Sequence, residues 1–515
     1  MESQEKGADQ PHQQYPPPRQ TSAWRRFVRS RLPLKPAVDE DPRLLSNRTK
    51  GVILGLLGLC ACTPGFSSTI YFPGLPMITE GLNAPPIATT LTAALFVLFM
   101  GIAPGFWASI SDHYHVRRCL LMFSMLIFAV ASLGSAVMTN IWGLVVLRCV
   151  QSIGSSCGQS VGAGVIADCY PLEKRGAAFG KYFFGVFFGP LLGPIIGGFL
   201  IMSNDGWRAT FWFCVALGLF AALMVWMFLP ETYRDNARFD LELPQTQKSD
   251  PTTKPEKAVQ DQDQDLNDND DTSVDRATVV STTPPPPSPV TKKRRMNPFT
   301  PFLLLRHPFI LLASLVGGVA FGSMFAVETI IPSLFEQKYN FNSWQTGLSY
   351  LGAGVGNLIG SLVGGKLSDR LLLRARKQRG RAMVEDRLTM NIWPCIVLFM
   401  PFGLLLFGWM LEFNKSVWAA IIGFGCVTFG MNQIMSSTSA YLVDATPGIG
   451  ASVTAAANFV RMLIACALTL AANPMVASIG PGYTTVLLAA LAWAAAILLL
   501  ILKIYGERLR HWSGY

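Results

Sequence analysis

Apolar and polar positions alternate along this chain on a scale of about twenty residues, not of two or four. Twelve long apolar runs stand out, at 51–71, 87–110, 118–138, 141–167, 177–202, 209–229, 308–333, 346–368, 391–411, 417–440, 451–473 and 483–505. Each is close to the ~20 residues that carry an α-helix across the hydrocarbon layer of a bilayer. A helix that is apolar around its whole circumference has no face for water and belongs inside protein or lipid. The runs fall as six, a polar gap, then six. The fold class predicted is therefore an all-α membrane protein with twelve transmembrane helices in two pseudo-symmetric six-helix bundles.

The polar stretches complete the domain plan. Residues 1–50 are Pro/Gln-rich and then basic, and read as a disordered cytoplasmic N-terminus; 51–229 form the N-terminal bundle and 298–505 the C-terminal bundle. Between them, 230–297 runs from QDQDQDLNDNDD through PPPPSP to KKRR, with too few apolar residues to build a core, and reads as a disordered cytoplasmic linker. Residues 506–515 remain as a short tail. No cleavable signal peptide is visible, so the first run is expected to insert the chain. Short cytoplasmic loops gather Lys and Arg, and the basic N-terminus, Arg117 and Arg118, Lys174 and Arg175, the 370–387 loop and the tail from Lys503 all fall on one side. Both termini are predicted to be cytoplasmic, with Asn47 in an unused glycosylation sequon and Asn414 in one facing out.

The halves echo each other. Ser111 and Asp112 close the second run as Ser368 and Asp369 close the eighth; Asp168 to Pro171 follows the fourth run as Asp444 to Pro447 follows the tenth. The offsets, 257 and 276 residues, differ by the longer basic loop between runs eight and nine. Duplicated bundles of this kind build carriers that alternate access to a ligand site near the bilayer midplane.

Composition agrees with the pattern: half of the residues are hydrophobic and 14% are charged, against about 25% charge in soluble domains. The net charge of +10 is accounted for by the inside loops, so no nucleic-acid partner is implied. The ten cysteines lie in or beside apolar runs without metal-ligand spacing and read as small core residues. No metal site, cofactor, phosphate-binding loop or nucleophile-base pair is found, which argues against an enzyme or an ATP-driven pump.

Only three ionisable side chains lie well inside a span: Arg148, Glu328 and Arg461. An ionisable group at the bilayer centre costs roughly 2.5–3.5 kcal/mol on insertion scales, so each needs a reason. Glu328 is the sole intramembrane carboxyl and the leading proton carrier, because burial favours the neutral acid and contact with water lets it exchange a proton; the alternative is a hydrogen bond to a neighbouring helix. Arg148 and Arg461 fit proton coupling, an anionic substrate group or a structural pair. Phe66, Tyr71, Tyr350, Asn432 and Tyr441 are candidates to line a cavity.

The fifth run contains Gly180-KYFFGVFF-Gly189-PLL-Gly193-Pro194-II-Gly197-Gly198. It resembles, at every fixed position, the antiporter motif of the major facilitator superfamily, G-x8-G-x3-G-P-x2-G-G. Asp112 with Arg117 resembles a worn copy of that superfamily's loop motif, in which His115 stands where the pattern has Gly, a substitution that puts the turn geometry in question; Gly365-KLS-Asp369-Arg370 is a closer copy. Arg148-CVQ-Ser152, Trp207-Arg208, Leu229-PET, Ser67-STIYFPGLP, EDRL at 385–388 and Asn458-FV-Arg461 are similar to fungal twelve-spanner drug:proton antiporters. The resemblance implies that Asp112, Arg117, Asp369 and Arg370 form a cytoplasmic gate locking the halves together, and that Arg148 takes part in proton movement. It implies a monomeric, proton-coupled antiporter in the plasma membrane or, alternatively, the vacuolar membrane. Its partners would be the lipid bilayer, protons and a small-molecule substrate: a drug, a secondary metabolite or an organic acid. A proton-independent facilitator or importer, or a nutrient receptor on a carrier fold, remains as an alternative.

Overall fold

The computed structural model describes residues 41–170, 172–234, 300–363, 384–388, 392–446 and 449–514. Among them there is no β-strand, and the helices follow the apolar runs. In the N-terminal half, α1 is Asn47–Thr69, α2 Pro86–Tyr114, α3 Arg118–Val137, α4 Ile141–Cys169, α5 Leu172–Leu200 and α6 Arg208–Phe228. In the C-terminal half, α7 is Pro308–Tyr339, α8 begins as Ser343–Ser349 and continues over 351–363, α9 is Ile392–Glu412 and α10 Val417–Ala445. The last helical stretch, Gly450–Trp512, is broken at Gly480 (φ 81°, ψ 164°) into α11 and α12. A left-handed φ of that kind suits glycine. Glu412, at the end of α9, covers the break by accepting the Gly482 N–H at 3.1 Å.

Helix ends are set by local chemistry. Ser46 caps α1 by accepting the Thr49 N–H at 3.2 Å. Pro308 opens α7, at a position where its missing N–H costs nothing, and Asn340 closes it in the left-handed region (φ 52°). Pro394 is followed in α9 by a wider π-turn over Cys395–Phe399, and Trp493 of α12 donates to the Val397 carbonyl at 3.0 Å.

Packing repeats between the halves. In the first, α1 lies on α5, α3 on α6, and α4 against α2 and α3; in the second, α7 lies on α11 and α9 on α10 and α12. Across the halves, α2 meets α11 and α5 meets α8. Large apolar side chains such as Val130, Val146, Leu362 and Ile497 are exposed, an outward apolar belt that only lipid or a partner would cover.

Two boundary expectations are corrected. Residues 41–50 are not disordered: Pro42–Leu44 forms a short turn of helix, and α1 starts at Asn47. Asp41 is held by Arg234, at 3.1 Å from Nε to Oδ1, so the segment before α1 and the four residues 231–234 after α6 fasten each other. Nor does α12 stop at 505; it runs to Trp512 because Arg510 pairs with Glu385 at 2.8 Å. The remainder of the predicted N-terminus, residues 1–40, and of the linker, 235–297, lies outside the described residues.

Candidate functional site

Four helices of the first half converge on Arg148 of α4, which is fully buried. Its guanidinium is sandwiched between the rings of Tyr71 and Phe96, at 4.1 and 4.2 Å, with Phe211 of α6 at 5.9 Å. A cation over an aromatic face is stabilised by the ring quadrupole, by about 2 kcal/mol or more where water is excluded. Nη1 donates to Gln151 Oε1 at 2.6 Å and to the Ser67 carbonyl at 3.1 Å. Gln151 in turn donates to Ser132 at 2.7 Å. Every acceptor is neutral, and Nε and Nη2 are buried with no partner. Tyr71 is fixed by Thr92, hydroxyl to hydroxyl at 3.1 Å; Phe66 stacks on Phe213 at 5.5 Å beside this group.

In the second half, Glu328 of α7 is 2% exposed, and its Oε2 is buried without a partner. Among the described residues it makes no ion pair with either arginine. Tyr350 of α8 donates to the Glu328 backbone carbonyl at 2.6 Å, which ties α8 to α7 at that level. Asn432 of α10 donates to Asn357 Oδ1 at 2.9 Å, and its neighbour Gln433 to the Gly360 carbonyl at 2.7 Å. Arg461 of α11 donates to Asn458 Oδ1, leans on Met435 Sδ at 3.9 Å, and lies 5.5 Å from the Phe321 ring; its Nε is buried without a partner. Asn458 also donates to the Met100 carbonyl of α2 at 3.5 Å, and so links the arginine to the first half. Tyr441 is not brought to this level: it packs by Gly506, beside Glu385 and Arg510, near the ends of α10 and α12.

The glycine motif of α5 is a packing ridge. A Cβ on Gly189 would come within 2.7 Å of Phe66 N, one on Gly193 within 3.0 Å of the Phe66 carbonyl, and one on Gly197 within 2.7 Å of Ile70 C. These i+4 steps, with Gly185 against Gly58, seat α5 on the α1 backbone. Gly198 faces the other way, onto Ser343 and Trp344 of α8. One strip of glycine therefore serves both the fold of the first half and its contact with the second. Gly180 lies near the start of the same helix. In the second half the roles are exchanged, with Gly318 and Gly322 of α7 receiving Ile464, Ala465 and Leu468 of α11.

The loop motif binds within the first half. Arg117 Nη1 meets Asp112 at 2.9 Å and Ser111 at 2.8 Å, while Nε meets Asp168 of α4 at 3.1 Å. Its backbone N–H is accepted by Glu231, after α6, at 2.9 Å. Burial works against the Arg117 charge, but the carboxylates of Asp168 and Asp112 outweigh it and hold the guanidinium above its usual range. His115 does take the left-handed turn (φ 56°, ψ 46°) and rests on Tyr233, with ring centroids 4.6 Å apart. Asp369 and Arg370 lie outside the described residues. Asp112 and Arg117 thus join α2, α3, α4 and the α6 exit to one another.

Sequence reasoning did not assign site roles to Gln151, Ser132, Phe96, Asn357 or Glu231. Gln151 had a signal, since it lies three residues from Arg148 on one helix face; Phe96 had none, being one apolar residue in an apolar run.

The chain as a whole is similar to known proteins. The chain is similar to the MFS antiporter QDR3 of Candida albicans, 26% identical over 559 aligned residues that cover 92% of this chain and 80% of that one. It is also similar to the MFS-type transporter penM of Penicillium rubens, 30% identical, with 92% and 87% covered. Among solved structures, a D-xylose-proton symporter superposes with a TM-score of 0.61 over 87% of this chain and 97% of that one, at 15% identity, a likeness of fold alone. The family model described as Major Facilitator Superfamily matches residues 57–470, a span from within α1 to within α11 that holds the glycine ridge and the buried arginines, and the chain belongs to that superfamily.

Proposed function

We propose that this multi-pass membrane transporter is a secondary active, proton-coupled antiporter that exports a small organic molecule by alternating access. The observation that carries the reading is Glu328, a carboxyl buried in α7 with one oxygen unpartnered and no cation paired to it. An isolated buried carboxylate is expensive, whereas a carboxyl that takes up and releases a proton as its surroundings open and close avoids that cost. The similarity to the Candida relative, an MFS antiporter by name, and the α5 glycine ridge that touches both α1 and α8 support exchange driven by rocking of the halves. Placement in the plasma membrane, cytoplasmic termini and a monomeric state belong to the same reading, and the side rich in Lys and Arg supports the orientation.

The test is an untargeted comparison of small molecules inside and outside cells with and without the protein, repeated after a protonophore collapses the pH gradient. A compound depleted inside and enriched outside only when the protein and the gradient are both present is the expected result. Export that continues after collapse would make the protein a facilitator, and a compound gained inside would make it an importer.

A further inference from the structure

The charge inside the described spans is unbalanced. Within them, away from the terminal turns, stand two arginines, one in each half, and one carboxyl that pairs with neither. The other carboxylates of these spans lie at helix ends: Glu173 in the first turn of α5, Asp112, Asp168, Asp444, Glu336 and Glu412 in the last turns of theirs, and Glu507 near the end of α12. Arg148 donates to a carbonyl, a hydroxyl and an amide and keeps two N–H groups unpartnered; Arg461 donates to an amide and a thioether and keeps one. Removing a guanidinium from water costs several kcal/mol unless an anion and further hydrogen bonds repay it. Neutral acceptors repay only part, and thioether sulfur is a weak acceptor.

The two arginines differ in access. Arg148 is closed between Tyr71 and Phe96. Arg461 is only partly buried, and it is approached by Phe321 of α7 and Met435 of α10, an apolar wall beside an unsatisfied cation. Such a pairing of one charged anchor with an apolar lining is how sites orient amphipathic ligands.

We propose that the cargo is an organic anion with an apolar body, and that Arg461 binds its acidic group. This rests on the transport reading above. The carboxylate, sulfonate or phenolate of the cargo takes the place of Asn458 on the guanidinium. Asn458 is the residue that reaches across to the Met100 carbonyl of α2, so seating the anion alters a contact between the halves. Arriving cargo is in this way linked to the interface that must move.

The test uses the full chain in cells, as wild type, Arg461→Gln, Arg461→Lys and Asn458→Asp, each at equal membrane abundance by immunoblot. Protein-dependent export is measured on the whole small-molecule pool and on three added probes sharing one body: 2-naphthoate, 2-naphthamide and 2-naphthylmethylamine. The expected result is that the exported compounds are acids and that 2-naphthoate is moved at least tenfold faster than its amide. Arg461→Gln should lower acid export at least tenfold, with Arg461→Lys retaining part of it. Asn458→Asp, which supplies a built-in carboxylate to the same guanidinium, should also lower acid export. Protein-dependent export confined to neutral or cationic compounds, or acid export unchanged in both Arg461→Gln and Asn458→Asp, overturns the anion site and leaves transport standing. If no compound moves in a protein-dependent manner, the transport reading falls and the anion site falls with it.

Discussion

Adding one methyl group to Gly197 tests whether the glycine ridge is a packing device. The Cβ of Gly197→Ala would lie 2.7 Å from Ile70 C and 3.1 Å from Ile70 Cγ1, with the Ile70 carbonyl oxygen closer still. Carbon atoms in contact prefer about 3.5–4.0 Å, so relieving the Ile70 C contact alone takes about 1 Å of separation between α5 and α1, and the carbonyl oxygen requires more. The obstacle is backbone, which cannot swing away as the tip of a side chain would. Overpacking of this kind costs about 1–3 kcal/mol, against a gain of about 1 kcal/mol from replacing glycine by alanine within a helix. Gly105 of α2 supplies the control, because a Cβ there meets nothing within 4 Å and only the gain remains. The difference between Gly197→Ala and Gly105→Ala isolates the overpacking term, about 1–3 kcal/mol. It is read from the melting of the two purified variants in one detergent, followed by size-exclusion fluorescence after heating. A Gly197→Ala protein that melts at or above Gly105→Ala would refute the ridge.

The cluster around Arg117 predicts an inverted ranking: Asp168→Asn, which strips a mostly buried partner, should cost about 3–5 kcal/mol, whereas Asp112→Asn, whose side chain is 67% exposed, should cost less than about 1 kcal/mol; equal melting losses would contradict it. His115→Gly relieves a left-handed residue by about 1–2 kcal/mol and loses a ring contact worth about 0.5–1.5 kcal/mol, so its melting point should stay near wild type while His115→Val falls clearly below it. For the Asp41–Arg234 clamp, burial pushes the Asp41 carboxyl up, but the hydrogen bond and charge of Arg234 and the Arg43 N–H pull it further down, to below its ordinary 3.8. A carboxyl lowered by folding stabilises above the unfolded value and loses that contribution as pH falls through the lowered one. Protease cutting before α1 should therefore be faster in Asp41→Asn than in wild type at pH 7, and the difference should vanish only below pH ~3.8; a difference already gone at pH 5 would contradict the pairing.

Much of the fold was legible because the bilayer enforces a length. Over the described residues the apolar runs coincide with helices, α12 alone running seven residues past its run, and the glycines of α5 share one helix face through a four-residue spacing. The errors fell where charge overrides composition. Residues 41–50 and 506–512 look like polar tails, yet Asp41 and Arg510 find partners nearly two hundred and more than a hundred positions away, and no local pattern contains that information. The site was half legible. Arg148, Glu328 and Arg461 were visible as ionisable residues in apolar runs, but the sequence could not show that the aromatic sandwich around Arg148 uses Phe96, or that Arg461 turns to Asn458 and not to a carboxylate. Tyr441 shows the converse: an intramembrane tyrosine suggested a cavity, and the helix phase put it beside Glu385 and Arg510 instead.

The central claim, that Glu328 carries the coupling proton, is tested most directly by the pH profile of export in Glu328→Gln. Glutamine keeps the shape and cannot exchange a proton, so membrane abundance should match wild type. Protein-dependent efflux is measured across external pH 5 to 7.5. The account predicts that wild-type efflux falls as the external pH rises and that Glu328→Gln gives a flat profile. A Glu328→Gln protein whose efflux falls with the wild-type slope would contradict it.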